Sequence, residues 1–378
     1  MSAKSQMTAK VALLALGLAG LAGLSCTPRL LDGGGETLNP IEILNRSPRV
    51  YQIAFKAFAD SIETTRASAY IAGSLEAAAS PGEMVEAALA DSSKIADLAP
   101  RQVAQVEYIK ARRRFDVGAD RAAGYHLKRA MAADPGYRPP YLLLGEMLLD
   151  RRAVDEACDV FSKVLERDST DSDALVGLAR CHAMSGRLSD ARRALVDAVI
   201  FDRVNLRAWS LLGMVADFEG CQVLSHDAPE LGLVRKLRGR HYRILIDESL
   251  RECPVEATAW IAYASERAVW KYEDKYKRNF GVGKYVPTFE EDVDCYMVLA
   301  AAWKTLAQAD SITPPDSAVC DPAYLEYLER VADDGYLVSH VLFDHVCIKA
   351  PGAARYFTGD VIARIREYVD AYVIIPKS

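Results

Sequence analysis

The sequence has little of what catalytic and metal-binding frameworks are built from. Six histidines and eight cysteines are scattered through 378 residues, so the composition offers no zinc or disulfide scaffold. No Walker loop, HExxH pair or Ser-His-Asp order occurs. Gly281-Val282-Gly283 is too short to cradle phosphate. Cations are not in excess: the formal net charge is −6, which removes any global pull toward nucleic acid. Val, Ile and Thr rarely cluster, so the Ala- and Leu-rich remainder favours helix over strand. What is present is an ordinary folded composition, 51% hydrophobic and 26% charged. The chain is long enough for two or three domains or for one repeat array. Neither an enzymatic activity, a cofactor nor a resident metal is expected.

Lys4 and Lys10 lead into an apolar run from Val11 to Leu24. As a helix this run would rise roughly 21 Å, well short of the ~30 Å hydrocarbon core, so it reads as a signal h-region. It ends in Leu21-Ala22-Gly23-Leu24-Ser25-Cys26. This resembles the lipobox of bacterial lipoproteins, with Gly23 standing where that family favours Leu. The resemblance implies cleavage before Cys26 and acylation of its thiol; ordinary secretory cleavage is the alternative. Thr27 stands where inner-membrane lipoproteins of enteric bacteria carry Asp, which implies an outer-membrane address facing the periplasm. Asp32-Gly33-Gly34-Gly35-Glu36 reads as flexible tether. The expected layout is a signal peptide at 1–25, a tether at 26–48, an N-terminal helical cap at 49–103, an array at 104–220 and a C-terminal helical region at 221–378.

The array shows itself as a period. Tyr141, Leu175 and Trp209 stand 34 residues apart (175 − 141 and 209 − 175), as do Gly145, Ala179 and Gly213. Ala123, Ala157 and Ala191 keep the step, and so do Leu127, Phe161 and Leu195. A small residue lets two antiparallel helices approach, and the large ones fill their seam. The pattern resembles the tetratricopeptide repeat, with units at 104–137, 138–171 and 172–205 and a fourth that opens at Trp209 and loses register at Gly220. The resemblance implies an all-α solenoid whose inner face is lined by the first helix of each pair. It places Tyr108, Arg112 and Phe115 there, then Leu142, Glu146 and Leu149, then Val176, Arg180 and Ala183, and last Ser210, Met214 and Asp217. Arg112, Glu146 and Arg180 alternate in sign along one column, as lateral salt bridges or as the charged flank of a peptide groove.

The flanks are less regular. Tyr51, Ala54, Phe55, Phe58 and Ile62 recur at helical spacing, which predicts helix over 49–79. Arg235 to Arg243 is a basic run, read as the solvated face of a helix or as a contact for phospholipid, lipopolysaccharide or an acidic partner. The aromatics and lysines of Tyr272 to Pro287 suggest structural packing or a contact loop. Tyr324 to Val346 and Gly359 to Ile374 read as closing helices. His340 and Asp344 lie one turn apart near His345 and Cys347; a metal there would need donors from elsewhere, and satisfied histidines are the plainer reading. Export permits disulfides, and Cys221 with Cys253 is a candidate pair. The function these features imply is a non-enzymatic envelope lipoprotein, anchored to the membrane by lipid, whose array binds envelope proteins. The alternative is a small-ligand accessory to a periplasmic substrate-binding transporter.

Overall fold

A computed structural model describes residues 40–57, 83–90, 98–224, 228–281, 284–308 and 320–377. Cys26, the leader and most of the tether lie outside them, as do Phe58 and Ile62. The chain divides into two units, one drawn from residues up to 62 and from 227–346, the other from 63–226 and 347–378. Helix predominates, as the composition implies.

The first unit begins with α1 (Pro40–Arg46), inside the stretch expected to be tether, where Leu44 is buried. Then comes β1 (Val50–Lys56), where helix was expected. Tyr51, Ile53 and Phe55 pack against the unit's core at every second residue, the period of a strand. The sequence there fits both periods, and what selects the strand is a parallel partner far downstream, pairing Val50 with His241 through Lys56 with Asp247.

The second unit holds the array. After α2 (Glu83–Ala90) come the pairs α3 (Pro100–Asp116) with α4 (Asp120–Ala133), α5 (Pro139–Asp150) with α6 (Val154–Leu165), and α7 (Ser172–Met184) with α8 (Leu188–Phe201), then α9 (Leu206–Phe218). Ala123, Ala157 and Ala191 are fully buried, and Leu127, Phe161 and Leu195 nearly so, so these two 34-residue columns are the seams. The turn between the helices of each pair also repeats. Gly118, Arg152, Gly186 and Gly220 all have φ between 63° and 76°, each 34 residues after the last (152 − 118, 186 − 152, 220 − 186). Asp171 and Asn205 cap α7 and α9 by accepting from the amides of Ala174 and Ala208 at 2.9 and 3.1 Å. Register therefore holds through Gly220, and what changes after it is the element type. In place of a second helix the chain forms β2 (Cys221–Val223).

The chain then returns to the first unit. β3 (Gly232–Lys236) and β4 (His241–Asp247) form an antiparallel hairpin and complete a sheet in the order β1-β4-β3. Part of the C-terminal region expected to be helical is thus sheet. The basic run is the exposed tip of this hairpin rather than a helix face, with Gly239 at φ 65° in the turn. Helix α10 (Pro254–Tyr272) packs on β3 and β4, followed by α11 (Lys275–Phe280), α12 (Phe289–Ala307), α13 (Ala323–Asp333) and α14 (Leu337–Val341). Trp260, Tyr263, Tyr296 and Leu299 fill the core. Glu273 ties the N-terminal strand down, accepting from Ser47 Oγ at 2.7 Å, Arg49 Nη1 at 2.8 Å and Tyr51 Oη at 2.6 Å. Cys253 is bonded to Cys320, their Cα atoms 5.7 Å apart, while Cys221 is a free thiol. The expected Cys221–Cys253 pairing is therefore replaced, because Cys221 lies in β2 of the other unit.

Past a π-helical turn at Leu342–Val346 the chain rejoins the array. Helix α15 (Gly359–Tyr368) packs on α8, and β5 (Ile374–Pro376) pairs antiparallel with β2. Arg366 Nε reaches Asp197 at 2.6 Å and Arg192 Nη2 reaches Asp370 at 2.6 Å. Residues 359–376 thus close the array, whereas Tyr324 to Val346 belongs to the first unit.

Candidate functional site

The first helices of successive pairs, α3, α5, α7 and α9, are neighbours in the array, and between them lies a cavity of about 270 Å³. Tyr108 and Arg112 of α3 face it, with Pro139, Leu142 and Glu146 of α5, Asp173 and Gly177 of α7, and Arg207 of α9. Arg138, Leu143 and Phe161 complete the wall. Glu146 is the centre of its charge pattern, 2.6 Å from Arg207 Nη1 and 3.9 Å from Arg112 Nη1. Arg112 Nε also lies 3.1 Å from Asp116. Arg138 forks onto Asp171 and Asp173, both at 2.9 Å. Burial pushes the Tyr108 phenol above its ordinary pKa, so it faces the cavity as a neutral donor and acceptor.

The expected inner-face residues separate into three groups. Tyr108, Arg112, Leu142 and Glu146 line the cavity. Leu149 and Val176 are buried, Val176 at 1% exposure, and Phe115 packs on the core around Ala111 and Leu127. These three fill the seam. Ser210, Met214 and Asp217 stand exposed on α9, and Arg180 and Ala183 are half-buried outside the cavity wall. The third charge at Glu146 is Arg207, not Arg180. Sequence inspection passed over two apolar neighbours of Met214. Leu206 is 82% exposed, Met214 55% and Phe218 77%, at spacings of eight and four that put them on one face of α9. That spacing was visible in the sequence; the exposure of the face was not.

Phe161 explains how the cavity wall is built. Its ring sits between α5 and α7, so close that a Cβ at Gly145 would come within 2.4 Å of it and one at Gly177 within 2.3 Å. The same column at Gly213 meets nothing within 4 Å, consistent with β2 following α9.

In the first unit, His340 is satisfied. Its Nδ1 lies 3.0 Å from Asp344 and its Nε2 3.1 Å from Tyr324 Oη. Cys347, already in the second unit, is buried. His345 meets a different group, with Nδ1 3.3 Å from Tyr296 Oη. Tyr285 hydrogen-bonds Glu291 at 2.6 Å and stacks edge-on against Tyr276, so part of the aromatic stretch 272–287 is structural packing.

Residues 148–215 match the family model described as tetratricopeptide repeat, and the chain carries these repeats, as its 34-residue columns imply. A solved crystal structure of a protein named MamA is similar over 62% of this chain and 96% of its own, at 16% identity. Its TM-score of 0.28 leaves that likeness without weight. No curated protein matches the sequence.

Proposed function

We propose that this repeat array is the working surface of a non-enzymatic scaffold in a bacterial envelope, gripping a segment of a partner protein along its first-helix face. The observation that carries the reading is the exposed row Leu206, Met214 and Phe218 on α9, on the helix that also supplies Arg207 to the charged cavity. Apolar anchors beside fixed charges suit a helical or extended peptide, with the anchors supplying affinity and the charges register. The small-ligand alternative is less well supported. The cavity, at about 270 Å³, falls below the roughly 300–1,000 Å³ of ordinary ligand sites, and paired arginines and carboxylates rather than an apolar pore line it.

The envelope setting rests on the leader and lipobox resemblance, and the Cys253–Cys320 disulfide is in keeping with an oxidising compartment. The exposed cationic hairpin tip at Lys236, Arg238 and Arg240 would suit an anionic surface beside a lipid anchor. Two experiments test the reading. Crosslinked pull-down from envelopes should lose partners in a Met214→Asp, Phe218→Asp variant, and an unchanged partner set would sink the groove. Cys26→Ser should abolish labelling by a fatty-acid probe, and persistent label would show the anchor is elsewhere.

A further inference from the structure

We propose that Glu230, Asp292 and His345 form a binding site for one divalent transition-metal cation of the zinc class, in the unit that does not carry the repeats. The three donors come from separate parts of that unit: the segment before β3, the first turn of α12, and the π-helical turn after α14. Their ligand atoms all lie within 4.8 Å of one another.

The imidazole decides the argument. His345 is 3% exposed, and its Nδ1 lies 3.3 Å from Tyr296 Oη. The same phenol oxygen lies 2.9 Å from the carbonyl oxygen of Pro229. A carbonyl only accepts, so the phenol gives its one proton there and receives the Nδ1–H of His345. In the neutral ring that leaves Nε2 as the lone-pair nitrogen, the form a metal binds. Nε2 has no hydrogen-bond partner. It faces Glu230 Oε1 and Asp292 Oδ1, each 3.5 Å away.

Two carboxylate oxygens and a neutral imidazole nitrogen converging at one place form a donor set that favours a cation. Arg267 braces the two carboxylates. Its Nη2 lies 3.3 Å from Glu230 Oε1 and 2.8 Å from Asp292 Oδ1, and Nη1 lies 3.3 Å from Glu291. Each carboxylate oxygen has two lone pairs, so one can face the guanidinium while the other faces the imidazole. Outer partners of this kind orient first ligands. The spacing also fits. Four-coordinate zinc with bonds of about 2.1 Å has ligand–ligand edges of about 3.4 Å, close to the two 3.5 Å separations found. One imidazole and two carboxylates leave the fourth position for water.

The test is equilibrium dialysis of the chelator-stripped full-length chain against zinc chloride, with bound metal counted. One zinc per chain is expected, with affinity at least tenfold weaker in Glu230→Gln, Asp292→Asn and His345→Gln. Zinc should raise the melting temperature of the wild type, reversibly on chelation, and leave that of the variants unmoved. Glu230→Gln is nearly isosteric, and far-UV circular dichroism shows whether it is folded, so the test survives misfolding of the histidine variant. Folded variants that hold zinc like the wild type would place the metal on thiols and overturn the proposal. So would a wild type that takes up no zinc.

Discussion

The Phe161 sandwich yields a test in which one substitution has opposite signs at two equivalent places. Gly145 and Gly213 occupy the same column, two repeats apart. Gly→Ala inside a helix gains about 0.8–1 kcal/mol from propensity alone. At Gly213 the new methyl meets nothing within 4 Å, so the gain stands and stability should rise by about 0.5–1 kcal/mol. At Gly145 the methyl would stand 2.4 Å from Phe161 Cζ and 2.7–2.8 Å from both Cε atoms, where carbon contacts settle at about 3.5–4.0 Å. The ring cannot retreat, because Gly177 of α7 bounds its other side at similar closeness. Overpacking of this kind costs about 1–3 kcal/mol, which cancels or outweighs the propensity gain and leaves a net loss of up to about 2 kcal/mol. Urea unfolding followed by far-UV circular dichroism reads both changes as midpoint shifts at constant slope. Combining Gly145→Ala with Phe161→Leu should give a loss smaller than the sum of the singles, a coupling of about 0.5–3 kcal/mol. If Gly145→Ala is as stabilising as Gly213→Ala, or the double variant is additive, the sandwich is wrong.

Other outcomes follow from single features. Arg152 holds the left-handed turn position that glycine holds in the other units, so Arg152→Gly should raise stability by about 1 kcal/mol in the same urea assay; a loss would mean its side chain matters more than its backbone. Val176→Asp buries a carboxylate at a 1% exposed site and should cost several kcal/mol. A folded, soluble Val176→Asp protein with a wild-type urea midpoint would contradict that burial. Burial, with Cys158 beside it, pushes the Cys181 thiol up to about 12, so at pH 8 its thiolate fraction is about one in ten thousand. Iodoacetamide at pH 8 should therefore leave Cys181 unmodified in peptide maps of the native protein while half-buried Cys221 is labelled. The Cys253–Cys320 bond closes a separation of 67 residues, worth about 4 kcal/mol by chain entropy. Replacing both cysteines by serine should lower the melting temperature, and an unchanged melt under both redox conditions would deny the bond.

The array was legible because a solenoid is local. Each helix packs on its sequence neighbours, so the small Ala157 and the large Phe161 recur at a fixed step that a single sequence displays. The turn column from Gly118 to Gly220 was equally readable and went unread because Arg152 interrupts it. Of the expected inner-face residues, Phe115, Leu149 and Val176 fill the seam instead, since Leu149 and Val176 differ from Leu142 only in which neighbour covers them.

The first unit could not be read this way. Tyr51, Ile53 and Phe55 fit strand or helix alike until β4 supplies their hydrogen-bond partners. Cys253 had several partners open to it until the fold brought Cys320 within 5.7 Å. His345 looked like the neighbour of a paired His340, and only folding turns it toward Glu230 and Asp292, far away in the chain. By itself the sequence determined the period, the helical seams and the turns, all set by contacts between neighbouring segments. The tertiary structure alone decided the sheet, the disulfide and the converging donors, because contacts across long stretches of chain leave no local period to read.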